Sequence, residues 1–149
     1  MISAILIPTD GSKTAQKAGM YAIDLAKQLH ASVIILNVID KRLMVSRTVA
    51  VDLSRSGVVE SLDDYLREGA ERYVAEIKKL CEKKGVKSKA VIKIGHPAEE
   101  IIKEAKKSKA DLIIMGSHGQ SALEAAVLGS ISYGVIHKDT TIPILVVKK

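Results

Sequence analysis

A group of glycines in the last third of the chain has the residue types and the spacing of a phosphate-binding loop. Two residues separate Gly116 from Gly119, and a spacer of nine residues leads to Gly129-Ser130. Glycines let backbone N–H groups approach a phosphate closely, because no Cβ stands in the way. A helix that begins at Gly129-Ser130 would add unpaired N–H groups and the positive end of its dipole. The spacing therefore predicts a phosphate cradle built from two segments.

Other well-known chemical motifs are absent from the sequence. Gly11-Ser12-Lys13 lacks the upstream glycine of a P-loop, and no Gly-x-Gly-x-x-Gly follows the first apolar run. The four histidines and Cys81 lack the spacing of a structural zinc site, and Gly129-Ser130 is not part of a Gly-x-Ser-x-Gly elbow. We therefore predict no catalytic set and no metal site formed by the protein alone.

Five apolar, β-branched runs alternate with helical patterns, and together they predict the elements that carry these glycines. The predicted strands are 2–7, 32–39, 87–94, 112–115 and 144–147. Helices are predicted after each of the first three strands and around 123–128 and 131–138. This alternation predicts an α/β fold in a single domain, 1–149: a doubly wound parallel sheet with helices on both faces.

The helix ends and the buried helix faces follow from local patterns. Ser12 is expected to cap the first helix, Gly85 to end the second, and Pro97 to lie in the first turn of the third. The side chains expected to face inward are Ala15, Ala18, Ala22, Leu25, Ala26 and Leu29 in the first helix, Leu66, Ala70, Tyr73, Val74, Ile77, Leu80 and Cys81 in the second, and Ala98, Ile101, Ile102 and Ala105 in the third. Cys81 is thus predicted to be a buried apolar residue. Residues 40–60 show no periodicity and are predicted to form a surface loop or a lid.

The topology predicts where a ligand would bind. Ligands of doubly wound sheets bind at the C-terminal strand ends, where the strand order reverses. Asp10-Gly11 follows the first strand and Gly116 ends the fourth, so both would face one crevice if these strands are neighbours. His118 would face either solvent or the ligand. His96 is expected to be a helix cap or a rim residue, and the other two histidines, His30 and His137, to be structural residues at helix ends.

The composition limits the classes of partner. The net charge is +6, but glutamates are interleaved with the lysines, and the chain has four Tyr and no Trp or Phe. These features predict solvated helix faces rather than a nucleic-acid surface. No apolar run approaches the roughly 20 residues that span a membrane, and no signal peptide is recognisable. A single cysteine excludes an internal disulfide. We expect a cytoplasmic protein that binds neither membranes nor nucleic acid.

Several of these segments together resemble the universal stress protein family. They are 8–12, 95–101, 110–119, 128–132 and 143–147, and the resemblance covers the whole chain. The Gly-x2-Gly-x9-Gly-Ser spacing resembles that of the subgroup that binds ATP. The resemblance implies a Rossmann-like, adenine nucleotide alpha hydrolase-like sheet of five strands in the order 3-2-1-4-5. It also implies a homodimer through the last strand, 144–147, which would be an apolar edge that is hazardous unless paired.

The resemblance further implies the residues of the site. Asp10 would lie near the ribose or a phosphate-bound Mg²⁺, and the hydroxyls of Ser130 and Ser132 would donate to phosphate oxygens. The adenine and ribose end would be lined by Pro8, Thr9, Asp10 and Val38. The ribose and phosphates would be surrounded by Met115, Gly116, Gly119, Gly129, Ser130, Ile131 and Ser132.

The chain departs from the ATP-binding relatives in one respect. Those proteins often carry a basic side chain just after the second glycine and another within the spacer, where this sequence has Gln120, Ser121 and Glu124. Phosphate binding would then depend on backbone N–H groups, on Mg²⁺, or on an arginine of the 40–60 segment. The arginines of that segment are Arg42, Arg47 and Arg55.

These observations favour a dimeric regulatory or stress-response protein that binds ATP, with Mg²⁺, and turns it over slowly or not at all. Two alternatives stay open. A ligand-free dimeric interaction module would account for the missing basic residues. A slow ATPase or phosphotransferase would need a general base, for which Asp10 and His118 are the nearby candidates.

Overall fold

Five parallel strands form the sheet at the centre of the structure. The computed structural model describes residues 1–45, 58–118, 128–138 and 141–148. Its strands are β1 Ala4–Pro8, β2 Ser32–Asp40, β3 Ser88–Gly95, β4 Leu112–Gly116 and β5 Ile144–Val147. Its helices are α1 Lys13–Leu29, α2 Lys41–Val45, α3 Val58–Lys83, α4 Pro97–Lys107 and α5 Ser130–Ile136. The sheet order is β3-β2-β1-β4-β5, as expected, and every neighbouring pair is parallel.

Helices cover both faces of the sheet because successive strand residues point to opposite sides. Ile5 and Ile7 of β1 belong to the hydrophobic cluster that α1 and α3 cover. Leu6, which lies between them, belongs to the cluster under α4 and α5. β2 alternates in the same way, with Ile35 in the first cluster and Ile34 in the second. Burial on both faces explains why these strands appear in the sequence as continuous apolar runs.

Small side chains allow α1 to pack closely. Its buried residues are Ala15, Ala18, Gly19, Ala22, Ile23 and Ala26. A Cβ added at Gly19 would lie 2.7 Å from Cδ1 of Ile77 in α3, so a side chain there would have to displace the end of the Ile77 side chain. The alanines predicted to face inward do so. Leu29 was predicted wrongly and is exposed, because α1 ends there and His30 turns the chain with a φ of 54°.

The helix ends predicted from Ser12, Gly85 and Pro97 are confirmed. The Ser12 hydroxyl accepts a hydrogen bond from the Ala15 N–H at 3.1 Å, Gly85 has a φ of 72°, and Pro97 lies in the first turn of α4. Cys81 is buried, and burial raises the pKa of its thiol. None of the helices in the described part of the chain is long and apolar enough to cross a membrane.

Two predicted segments differ from the structure. Residues 40–60 were expected to form a loop, but the chain forms α2 directly after β2, and α3 begins at Val58. Residues 46–57 lie outside the described residues, so the choice between a surface loop and a lid stays open. The last helix was expected to reach residue 138, but α5 ends at Ile136 and His137 caps it. Of the helix predicted around 123–128, all but the last residue lie outside the described residues.

Asp111 ties the beginning of β1 to the beginning of β4. Its Oδ2 accepts hydrogen bonds from the Ser3 N–H at 2.8 Å, the Ser3 hydroxyl at 3.0 Å and the Ala4 N–H at 3.0 Å. β1 begins at Ala4, two residues later than predicted. These bonds, led by that of the Ser3 amide, lower the pKa of the Asp111 carboxyl below its ordinary value of 3.8.

We expect Asp111→Asn to destabilise the protein near neutral pH and to lose this effect in acid. The folded-state pKa lies below the unfolded value, so the stabilisation is present above pH 3.8 and disappears as the pH falls through the folded-state pKa. Urea denaturation of wild type and Asp111→Asn between about pH 7 and about pH 3 measures the difference in their free energies of unfolding. Titratable groups that both proteins share contribute equally and cancel in this difference. A difference that stays constant over this range would contradict the role assigned to the carboxylate.

Candidate functional site

A pocket opens at the C-terminal edge of the sheet, where β1 and β4 lie side by side. The chain continues from β1 to β2 on one side and from β4 to β5 on the other, so the strand order reverses at this point. Crevices at such reversals are the usual ligand sites of open α/β sheets. The pocket measures about 490 Å³, a volume that includes the solvent at its mouth.

Apolar side chains form most of the pocket wall, and a few polar groups converge on it. The apolar residues are Pro8, Ala15, Leu36, Val38, Pro97, Ile101, Met115 and Ile131. The others are Thr9, Asp10, Gly116, His118 and Ser132. A largely apolar cleft with few polar groups suits a ligand that has a flat, weakly polar part and a strongly polar part.

Thr9 is held by β2 on both of its backbone groups. Its N–H donates to the Leu36 carbonyl at 2.9 Å, and its carbonyl accepts from Nδ2 of Asn37 at 2.7 Å. Asn37 is buried, and the sequence analysis did not single it out. The available signal was an amide in the middle of an otherwise apolar strand, since a buried polar side chain needs a partner.

The segment from Thr9 to Ser12 is a tight turn stabilised by its own side chains. The Gly11 N–H donates to Oγ1 of Thr9 at 3.3 Å, and the Ser12 N–H donates to Oδ1 of Asp10 at 3.0 Å. Gly11 has a φ of 80°, a conformation that side chains with a Cβ rarely adopt. The turn directs the chain from β1 into α1 and presents Asp10 at the pocket.

Gly116 lets the end of β4 lie against the beginning of α1. A Cβ at this position would be 2.8 Å from Cγ2 of Thr14 and 3.1 Å from the Thr14 carbonyl carbon and oxygen. The opposite wall is held by Ser132 of α5, whose hydroxyl donates to the Gly116 carbonyl at 2.7 Å. Gly116 therefore joins three elements around the pocket.

The Ser132 hydroxyl, which was predicted to donate to a phosphate, donates to the protein itself in this structure. Its single hydrogen is used in the bond to Gly116, and the residue is buried. Gly129 is similarly engaged, because its N–H donates to the Ser117 carbonyl at 2.6 Å. Ser130 is exposed at the beginning of α5. Neither Gly129 nor Ser130 lines the pocket itself.

His118 is buried and lines the pocket, so of the two orientations left open for it, toward solvent or toward the ligand, the structure has the one toward the pocket. Only 8% of its surface is exposed, and its Nδ1 lies 2.8 Å from Oγ of Ser117. Ser117 is in turn held by β5, through a hydrogen bond from its N–H to the Val147 carbonyl at 2.9 Å. The site thus has an imidazole at its wall.

The other three histidines lie at helix ends, as expected. His96 is the exposed N-cap residue of α4 and makes no side-chain capping bond. His30 ends α1 in the left-handed conformation. His137 ends α5, where Nδ1 lies 2.8 Å from the Tyr133 carbonyl and the two rings are stacked.

Arg42 is committed to a neighbouring carboxylate. Its guanidinium binds both oxygens of Asp40, with Nε at 3.1 and 3.0 Å and a terminal nitrogen at 2.6 Å. This guanidinium lowers the pKa of the Asp40 carboxyl. The expectation that Arg42 supplies a cation to a phosphate therefore conflicts with its pairing, and the other two arginines considered, Arg47 and Arg55, lie outside the described residues.

The structure brings most of the predicted site residues into one pocket. Those that line it are Pro8, Thr9, Asp10, Val38, Met115, Gly116, Ile131 and Ser132. Gly119 lies outside the described residues, as do Gln120, Ser121 and Glu124 of the spacer. Four lining residues were not predicted for the site: Ala15, Leu36, Pro97 and Ile101. Helical spacing identified Ala15 and Ile101 only as core residues.

The universal stress protein family model matches residues 1–148. The chain is also similar to the universal stress proteins MJ0531 and MJ0577 of Methanocaldococcus jannaschii, each 39% identical to it. These matches cover 97% and 100% of this chain and 81% and 96% of the two relatives.

Solved structures give the same result for the fold. The structure of the hypothetical protein MJ0577 matches with a TM-score of 0.82 at 38% identity and covers 100% of this chain and 97% of its own. The universal stress protein from Archaeoglobus fulgidus in complex with dAMP matches with a TM-score of 0.69 at 15% identity, over 98% and 97% of the two chains. At that identity the second match shows the fold alone.

We expect Gly116→Ala to destabilise the protein by about 1–3 kcal/mol, the usual cost of forcing an extra carbon into a packed site. The added Cβ would press on backbone atoms of Thr14, which cannot turn away as a flexible side chain could. Gly69→Ala is the matched control, because its Cβ would meet only Cε2 of Tyr73 at an ordinary 3.9 Å. Urea denaturation measures both variants. A Gly116→Ala protein as stable as wild type would show that β4 and α1 are not tightly packed here.

Proposed function

Because this chain belongs to the universal stress protein family, we propose that it is a cytoplasmic, dimeric stress-response protein that binds ATP with Mg²⁺ in the pocket between β1 and β4. The ligand acts as a regulatory signal and is hydrolysed slowly or not at all. The observation that carries the proposal is the pocket itself, in which an apolar cleft and the Asp10 carboxylate meet where the strand order reverses.

The pocket suits the two ends of a nucleoside. Pro8 and Val38 offer apolar surface to a flat base, and the Asp10 carboxylate lies beside them on the same wall. A carboxylate is a strong acceptor for ribose hydroxyls and an oxygen ligand of the kind that Mg²⁺ prefers. The dAMP bound to the Archaeoglobus fulgidus protein of the same fold agrees with this class of ligand.

The phosphates would lie toward Gly116 and the beginning of α5. There the first backbone N–H groups of a helix have no partner within the helix, and the hydroxyl of exposed Ser130 can donate. Within the described residues Arg42 is paired to Asp40, so there the compensation of phosphate charge would fall to such donors and to Mg²⁺; Arg47 and Arg55 lie outside those residues. Gly119, the remaining glycine of the predicted cradle, lies outside the described residues.

We expect wild-type protein to bind MgATP and Asp10→Asn to bind it at least about tenfold more weakly, since hydrogen bonds to charged groups contribute about 1.5–3 kcal/mol. The asparagine keeps Oδ1, which holds the turn through the Ser12 N–H, and removes the charge. Asp24→Asn, on the exposed side of α1 and away from the pocket, is the matched control. Isothermal titration calorimetry measures the affinities, and phosphate release is followed in the same samples.

Failure of the wild-type protein to bind ATP, ADP or AMP, with or without Mg²⁺, would contradict the proposal and favour the ligand-free interaction module. Phosphate release that disappears in Asp10→Asn and in His118→Gln would favour the slow ATPase. Mass spectrometry of ligand released by acid from freshly purified protein shows which nucleotide, if any, accompanies the chain.

The proposed dimer forms through β5, and the two sheet edges differ in a way that supports this choice. Every side chain of β5 is apolar and half-buried, whereas β3 at the other edge carries Lys89 and Lys93. Charged residues, lysine above all, keep an edge strand from pairing with another sheet. An apolar edge strand without them favours pairing with a second copy.

We expect Val146→Lys to convert the dimer to a monomer. Val146 lies in β5, the strand proposed to pair with a second copy, and belongs to neither hydrophobic cluster. A lysine there places a charge in the paired edge with little effect on the core. Ile94→Lys, on exposed surface of the opposite edge strand β3, is the matched control and should leave the mass unchanged. Sedimentation velocity measures both. A wild-type monomer, or a Val146→Lys variant that stays dimeric, would contradict this interface.

A further inference from the structure

The turn that presents Asp10 has a neighbour from a distant part of the chain. The aromatic ring of Tyr73, in the middle of α3, lies directly against Gly11. A Cβ built on Gly11 would overlap Cδ1, Cε1 and Cγ of that ring. The contact therefore needs a glycine on one side and fits a flat ring on the other.

The ring is carried by a well-anchored helix. On the turns around Tyr73, the side chains of Ala70, Val74 and Ile77 are buried against the sheet, and Tyr73 itself is half-buried. The guanidinium of Arg72 lies 5.5 Å from the centre of the Tyr73 ring, a cation–π distance that favours one ring orientation. The turn thus packs against a surface that the core holds in place.

The bonds of Gly11 and Ser12 are short-range. Gly11 and Ser12 donate to side chains only two residues earlier, and Ser12 caps α1, whereas the backbone of Thr9 before them is held by β2. These bonds define the shape of the turn and hold its first residue. Tyr73 supplies a contact from outside the turn, and it does not itself line the pocket.

We propose that Tyr73 is a positioning residue for the ligand site, whose ring holds the Asp10–Ser12 turn so that the Asp10 carboxylate meets the nucleotide. The expected effect of the Tyr73 ring on binding rests on the proposed function. Its expected effect on the turn does not. A carboxylate that is already held in its binding position spares the ligand the entropy of ordering it, so loss of the ring weakens binding without removing a ligand contact.

The test uses two measurements on Tyr73→Leu. Hydrogen exchange at the Gly11 and Ser12 amides reports on the two bonds inside the turn, and we expect it to be about tenfold faster, while exchange in β1 is unchanged. The dissociation constant for MgATP should rise about tenfold. Tyr73→Phe keeps the ring and should match wild type in both measurements. Tyr65→Leu, in the same helix with 70% of its surface exposed, is the matched control.

Each outcome decides a different point. Wild-type exchange and affinity in Tyr73→Leu would overturn the inference, and so would weaker binding with unchanged exchange at Gly11 and Ser12. A Tyr73→Phe variant that behaves like Tyr73→Leu would transfer the role from the ring to the hydroxyl and also overturn it. If wild type binds no nucleotide, the proposed function fails, and the exchange measurement still decides whether Tyr73 holds the turn. Tyr73→Met serves for both measurements if Tyr73→Leu does not fold.

Discussion

β1 is the strand on which both halves of the molecule depend. It is hydrogen-bonded to β2 on one side and β4 on the other, and alternate side chains enter the two hydrophobic clusters. Ile5, Leu6 and Ile7 have no exposed surface, so each contributes its full apolar area to the core. A central strand held on four sides cannot shift its register without exposing one set of side chains and burying the wrong one. The position at which β1 ends, at the edge of the pocket, is correspondingly well determined.

The site is a consequence of this arrangement together with a few long-range contacts. The crossovers from β1 and β4 leave in opposite directions, which opens a gap between two strands that are otherwise closely paired. Three groups then hold the strand ends that border the gap. Asn37 binds the Thr9 carbonyl, Ser132 binds the Gly116 carbonyl, and the Tyr73 ring covers Gly11. They hold backbone rather than ligand, so the pocket is shaped by packing and hydrogen bonding within the protein.

The difference between local and long-range contacts explains how much could be predicted from the sequence. Features that depend on neighbouring residues were predictable: the cap at Ser12, the left-handed Gly85 and the buried faces of α1, α3 and α4. Contacts between distant residues were not, because a local signal, such as the amide of Asn37 in an apolar strand, does not show which residue is the partner. Asn37 and Thr9 are 28 residues apart and Ser132 and Gly116 are 16 apart, and only the folded sheet brings each pair together. Residues of the pocket were recognised mainly through their resemblance to a known family.

The charge pattern around the pocket bears on what kind of nucleotide site this would be. The sequence contains no lysine or arginine between 110 and 137, the stretch that includes β4, the glycines and α5. Arg42, which follows β2, is bound to Asp40, and among the described residues the one carboxylate that lines the pocket is Asp10. Within that part of the chain, a polyphosphate would therefore meet backbone dipoles and one acidic group rather than a cluster of cations. In the function proposed above, Mg²⁺ then has two roles, since it offsets phosphate charge and gives the Asp10 carboxylate a favourable partner. Recognition would depend on the fit of the nucleoside and on the bound cation, and the strong net positive charge of the chain would lie elsewhere, on the solvated faces of its helices.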